Sequence, residues 1–273
     1  MRVDRAMLKE NAKYWMSISQ PRVWLVTLVF LLATTGVAEL AGLAFPNPLD
    51  QFEALVREGL QSGDAFAVNT AANTVLDLLQ TLRGRIGLFF GVLLGLYGIV
   101  MHYGYLSYCL ETLRSRQPGY GELFSRFYMV GKIILAELLC SLFIFLWSLL
   151  FVIPGIIASY RYQMVPYLLL DDPDLPVLEA IRQSKQMMYG RKWELFVLQV
   201  SFLPWILGIS VAVGVLSTVV LAVTGSGEAY YLVTLLLTSA GSLFLTPYQY
   251  LTISGWYLQL RGEGMQGNAS ENA

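Results

Sequence analysis

Residues 131–170 read GKIILAELLCSLFIFLWSLLFVIPGIIASYRYQMVPYLLL, and only Lys132, Glu137 and Arg161 in this run are charged. A straight helix of this length would rise ~60 Å at ~1.5 Å per residue, twice the ~30 Å hydrocarbon core of a bilayer. The run is therefore not one straight crossing. Pro154 lacks a backbone donor and its ring clashes with the preceding turn. The run divides at Pro154-Gly155 into a span 131–153 and a short returning span 156–170, which either crosses or is partly re-entrant.

Outward from this run, apolar stretches long enough to cross lie at 22–44, 86–110, 193–223 and 229–260. The expected fold class is all-α: a polytopic transmembrane helix bundle of about six spans, forming a single integral membrane domain over 1–273. Composition agrees. Of 273 residues, 56% are hydrophobic and 14% charged, against ~45–50% and ~25% in soluble domains. Mean hydropathy is +0.56. A net charge of −1 supplies no field for nucleic acid. Cys109 and Cys140 both sit in apolar runs, which reads as buried thiols rather than a disulfide framework. The single histidine, His102, excludes a multi-histidine metal site, and no cofactor is expected. Basic residues precede the first apolar run, as in a signal peptide. That run, 23–43, exceeds the ~7–15 residues of a signal core, so it reads as an uncleaved span.

Basic residues orient the bundle. Arg2, Arg5, Lys9, Lys13 and Arg22 precede the first span. Arg114, Arg116, Arg126 and Lys132 lie in 111–132, Arg182, Lys185, Arg191 and Lys192 in 171–192, and Arg261 ends the last span. With six spans these share one side, and only Arg57, Arg83 and Arg85 face the other. The positive-inside rule then places both termini in the cytoplasm.

The acidic outer connection 45–85 predicts a helix from Asn47-Pro48 to Leu60, a break at Gly63, and an amphipathic helix restarting at Asp64. Two more amphipathic helices are expected in the cytoplasm, at 121–130 and 175–190, lying in the headgroup layer or packed on the bundle.

Gly87, Gly91, Gly95 and Gly98 share one face of the second span, a pattern that lets helix backbones approach. His102 continues that stripe. The intramembrane charges Glu39, Glu137 and Arg161 and the titratable His102 form the candidate polar interior. Matching depths suggest the pairs Glu39–Arg161 and His102–Glu137, against the plainer reading of structural ion pairs or snorkelling. Pro154-Gly155, Pro204 and Pro247 are expected helix breaks, of the kind that line sites in transporters or merely kink helices. The tyrosines at 97, 103, 105, 108, 160, 162 and 167 read as belt or packing residues. There is no His-Glu-x-x-His, Gly-x-Ser-x-Gly, phosphate loop or intramembrane carboxylate pair, so no enzyme is expected.

Two stretches carry a family resemblance: Ile153-Pro-Gly-Ile-Ile-Ala-Ser-Tyr-Arg-Tyr-Gln-Met-Val-Pro-Tyr-Leu-Leu-Leu-Asp-Asp172 and Glu179-Ala-Ile-Arg-Gln-Ser-Lys-Gln-Met-Met-Tyr-Gly-Arg-Lys-Trp-Glu-Leu-Phe196. They resemble the bacterial multi-pass family of domain of unknown function 975 over about 1–260. More distantly they are similar to the membrane domain attached to some glycerophosphodiester phosphodiesterases, whose catalytic domain is absent from this sequence. The resemblance implies a bacterial plasma-membrane protein, with the Pro154-Gly155 break and the 175–190 helix as features of the fold. It implies no activity. Two roles remain open: transport or lipid handling, and a membrane scaffold or assembly partner. The expected partners are membrane lipids and either a protein partner or further copies of the chain.

Overall fold

The structure, a computed structural model, describes residues 5–44, 52, 55–56 and 67–262. All regular structure among them is helical. In chain order the helices are α1 (Arg5–Ile18), α2 (Val23–Leu31), α3 (Val37–Ala44), α4 (Ala67–Gln80), α5 (Leu82–Leu113), α6 (Val130–Leu150), α7 (Val152–Tyr162), α8 (Val165–Asp171), α9 (Val177–Met187), α10 (Lys192–Val200), α11 (Leu203–Thr224) and α12 (Gly227–Arg261). A π-helical turn, Leu32–Gly36, joins α2 to α3. Among the described residues, five stretches are long and apolar enough to cross a membrane: Val23–Gly42, Leu82–Leu113, Tyr120–Leu150, Lys192–Thr224 and Gly227–Arg261. The chain is a helical multi-pass membrane protein. The expected span 156–170 is not among the five, because it is split between α7 and α8.

Prolines set the helix ends. A proline ring collides with the carbonyl four residues back. α6 ends at Leu150, α7 at Tyr162 and α10 at Val200, each four residues before Pro154, Pro166 and Pro204 respectively. Each proline then sits in the first turn of the next helix, where backbone N–H groups have no intrahelical acceptor anyway. The break expected at Pro247 is absent: α12 runs uninterrupted past it.

The contacts divide the chain into two compact units, residues 29–101 and residues 1–28 with 102–273. Within the larger unit, α6 and the α7–α8 segment run antiparallel over their whole length. Gly155 faces Ser148, the Tyr162 ring lies 6.0 Å from that of Phe143, and Lys132 Nζ donates to the Pro173 carbonyl. A Cβ at Gly155 would overlap the Ser148 hydroxyl, so glycine sets how tightly this hairpin closes. α9 then turns back along α7, with Ser184 Oγ donating to the Arg161 carbonyl at 2.7 Å.

One end of this unit is tied by polar groups around the buried Asp171 carboxylate. The Asp171 carboxylate, at the end of α8, accepts from Tyr257 Oη and pairs with Arg114 at 2.9 Å and Arg261 at 3.6 Å. These contacts join the C-termini of α5, α8 and α12. The helix expected at 121–130 is instead two 3-10 turns, Tyr120–Phe124 and Phe127–Met129. The Glu122 carboxylate holds them to α5 by accepting from Ser107, Ser125 and Arg126. Gly104 makes room for this contact, since a Cβ there would overlap the Leu123 carbonyl.

Sequence reading treated 1–22 only as a basic tail, but α1 is an amphipathic helix. It buries Leu8, Asn11, Ala12 and Trp15, the one-face spacing of an α-helix. Lys9 lies over the Phe202 ring at 5.0 Å and Lys13 over Tyr248 at 5.9 Å. Burial, then the neighbouring Lys13 and Arg5 charges, lowers the Lys9 pKa below the usual lysine range. α4 covers much of the expected outer amphipathic helix, whereas of the helix expected from Asn47 to Leu60 only Phe52, Leu55 and Val56 are among the described residues, and these are helical.

Candidate functional site

A cavity of about 440 Å³ opens inside the larger unit. Each wall is one helix face. α5 contributes His102 and Leu106, α6 contributes Glu137, Cys140 and Ile144, and α12 contributes Tyr250 and Ile253. These spacings of three, four and seven place residues on a single side of a helix. α10 adds Gln199. The α7–α8 break supplies most of the remainder: Ser159, Tyr160, Tyr162, Gln163, Pro166 and Tyr167. Pro166 has no N–H to give the Tyr162 carbonyl, and the residues on either side of this break line the space.

Glu137 is half-buried and accepts from Tyr103 Oη at 3.0 Å. His102 packs edge-on against Tyr250, ring centres 5.5 Å apart, and Tyr250 meets Tyr105 at 5.2 Å. Tyr105 Oη shares a 2.7 Å hydrogen bond with Thr27 Oγ1, which ties α2 to this wall. Tyr167 stacks on Tyr257 at 5.1 Å and receives a 3.5 Å hydrogen bond from Ser254. Among the described residues Glu137 is the only acidic or basic side chain besides His102 that lines the cavity.

The expected neighbours His102 and Glu137 are thus brought to one cavity, and the hydrogen bond given for Glu137 comes from Tyr103. Arg161 lies between two lining residues but its guanidinium is 5.8 Å from the Trp147 ring centre. Glu39 is exposed on α3 and belongs to the smaller unit, so the expected Glu39–Arg161 pair joins residues of different units. Within that smaller unit, Gly87, Gly91, Gly95 and Gly98 face Thr34, Thr35, Ala38 and Gly42 across a second cavity of about 380 Å³. Space is open beside Gly95 and Gly98, so the close helix contact expected there is not made at those two positions.

Sequence reading missed Gln163, Gln199 and Tyr250, and took Tyr160, Tyr162 and Tyr167 for belt or packing residues. A signal was available for the two amides, which are polar groups in otherwise apolar runs.

The broken-helix region is also where the chain matches a described family. Residues 149–264 match the family described as protein of unknown function (DUF975). This supports the resemblance read from Pro154-Gly155 and the 175–190 helix, over a shorter stretch than the 1–260 expected. The DUF975 region contributes Ser159 to Tyr167, Gln199, Tyr250 and Ile253 to the cavity, while His102 and Glu137 come from outside it. No curated protein and no solved structure matches the chain.

Proposed function

We propose that this protein binds a small polar molecule or a lipid headgroup in the α5–α6–α7–α8–α10–α12 cavity, in a non-catalytic role in lipid handling or transport at the bacterial plasma membrane. The observation that carries this reading is the cavity itself. Its volume of about 440 Å³ falls within the ~300–1,000 Å³ of small-ligand sites. A half-buried carboxylate, an imidazole and two amides converge on it from different helices.

Its depth favours access from the cytoplasmic leaflet. Lys185 lies over the Tyr162 ring, and Lys13 over Tyr248, two residues from Tyr250. Basic and aromatic groups of this kind collect at the membrane–water interface. Beyond this level α11 runs 22 residues with no charged residue, ~33 Å, enough to cross the hydrocarbon. The basic segments 111–132 and 171–192 and both termini are then cytoplasmic.

Native mass spectrometry of the protein in mild detergent tests the reading. A stoichiometric small molecule or lipid should remain bound and be lost in His102→Ala and in Ser159→Trp, which fills the cavity. The second reading, a scaffold, rests on α11, where only Ser217 is buried. Retention of a protein or a second copy, with the cavity empty, would favour it.

A further inference from the structure

We infer that the cavity selects a cation, an alkylammonium group, over an anion. This deepens the reading of the cavity as a binding site and depends on it.

Glu137 is the only charged side chain among the described lining residues, and no lysine or arginine joins it. Tyr160, Tyr162, Tyr167 and Tyr250 give the rest of the wall an aromatic character. Aromatic faces beside a carboxylate form the combination that recognises ammonium groups, through the negative face of each ring. The protein already uses this contact nearby. Lys185 places its ammonium 5.5 Å from the Tyr162 ring centre and 5.7 Å from that of Phe143. Arg161 points to Trp147 instead of into the cavity. Lys185 opposes a bound cation by its charge, and would assist a bound anion. Its removal therefore has opposite effects on the two classes of ligand. The ammonium can belong to a free amine or to a lipid headgroup, since both present the same chemistry.

Cys140 provides the probe. It lines the cavity one helical turn from Glu137 and is 8% exposed, whereas Cys109 is fully buried. In a Cys109→Ser background, its modification is timed with a trimethylammonium methanethiosulfonate and with the sulfonate counterpart. Each rate is divided by the rate with free cysteine. The cationic reagent should react at least tenfold faster, Glu137→Gln should abolish that preference, and Lys185→Gln should increase it. Choline should slow the reaction of the wild type. Equal rates, or a preference for the sulfonate that Lys185→Gln reduces, would overturn the cation inference and leave a binding cavity standing. Modification by neutral methyl methanethiosulfonate but by neither charged reagent would remove both readings, because a reactive thiol would then face a cavity closed to charged ligands. The same timing in nanodiscs separates the sources. Protection in phosphatidylethanolamine but not in phosphatidylglycerol identifies a lipid headgroup. Equal reaction in the two, slowed by added choline, identifies a free amine.

Discussion

Gly104 and Gly95 lie on one helix and face opposite circumstances. A Cβ at Gly104 meets the Leu123 backbone carbonyl, which cannot move without displacing the turn that Glu122 holds. Gly104→Ala should cost about 1–3 kcal/mol, the usual range for overpacking, read as a lowered Tm in detergent. At Gly95 nothing approaches within 4 Å, and alanine is the better helix former by about 0.8–1.0 kcal/mol. Gly95→Ala should leave Tm unchanged or raise it, and a fall comparable to that of Gly104→Ala would mean the space beside it is not open. Tyr103→Phe removes the hydroxyl that donates to Glu137. Hydrogen bonds to charged groups contribute about 1.5–3 kcal/mol, so this variant should also unfold at lower temperature. Glu137→Gln, which keeps an acceptor, should lose less.

At the scale of the element, helix ends were legible because proline sterics are local. Pro154 and Pro204 mark breaks in the sequence and make them, whereas the break at Pro166, inside the expected span 156–170, follows from the same clash with the carbonyl four residues back and was missed. Pro247 obeys the same chemistry but lies where α12 is packed on α1 and the helix continues, so packing overrode the local preference. The α6–α7 turn raises a separate question of depth. The hairpin's outgoing limb, α6, is 21 residues, ~31 Å, close to the hydrocarbon thickness, so the character of the turn sets its depth. Its tip, Phe151-Val152-Ile153, is wholly apolar and 70–73% exposed, with no interfacial polar residue. The hairpin should therefore turn inside the hydrocarbon instead of crossing it. A single cysteine at Val152 should resist water-soluble maleimide from both sides, while cysteines at Glu228 and Gln183 label from outside and inside. Labelling of position 152 from outside would restore both crossings of the hairpin and with them the six-span reading. In α9, Arg182 donates two 2.7 Å hydrogen bonds to Glu179, which lowers the carboxyl pKa below its usual range. A depressed folded pKa stabilises above the unfolded value and that stability is lost as pH falls through the folded one. α9 should lose helix below the ordinary carboxylate pKa of ~4.3, followed by NMR shifts of Ala180, and Arg182→Gln should lack this step.

At the scale of the whole molecule, the larger unit buries Trp256, Tyr103, Tyr105, Tyr108 and Tyr257 in its core and leaves α11 exposed. Lipid solvates apolar side chains as well as protein does, so exposed leucine and valine there carry no penalty. The membrane class followed from the sequence alone, because length and hydropathy of each run are properties of the run itself. Depth was legible in the same way: counting residues from the helix ends put His102 and Glu137 at one level. What residue counting cannot give is the rotation of each helix about its own axis, about 100° per residue. That rotation decided that Tyr103 rather than His102 donates the hydrogen bond given for Glu137. It also turned Gln163, Gln199 and Tyr250, from three distant segments, onto one cavity. Rotation is set by which side chains interdigitate across helix pairs, and that is settled only when all the helices pack together.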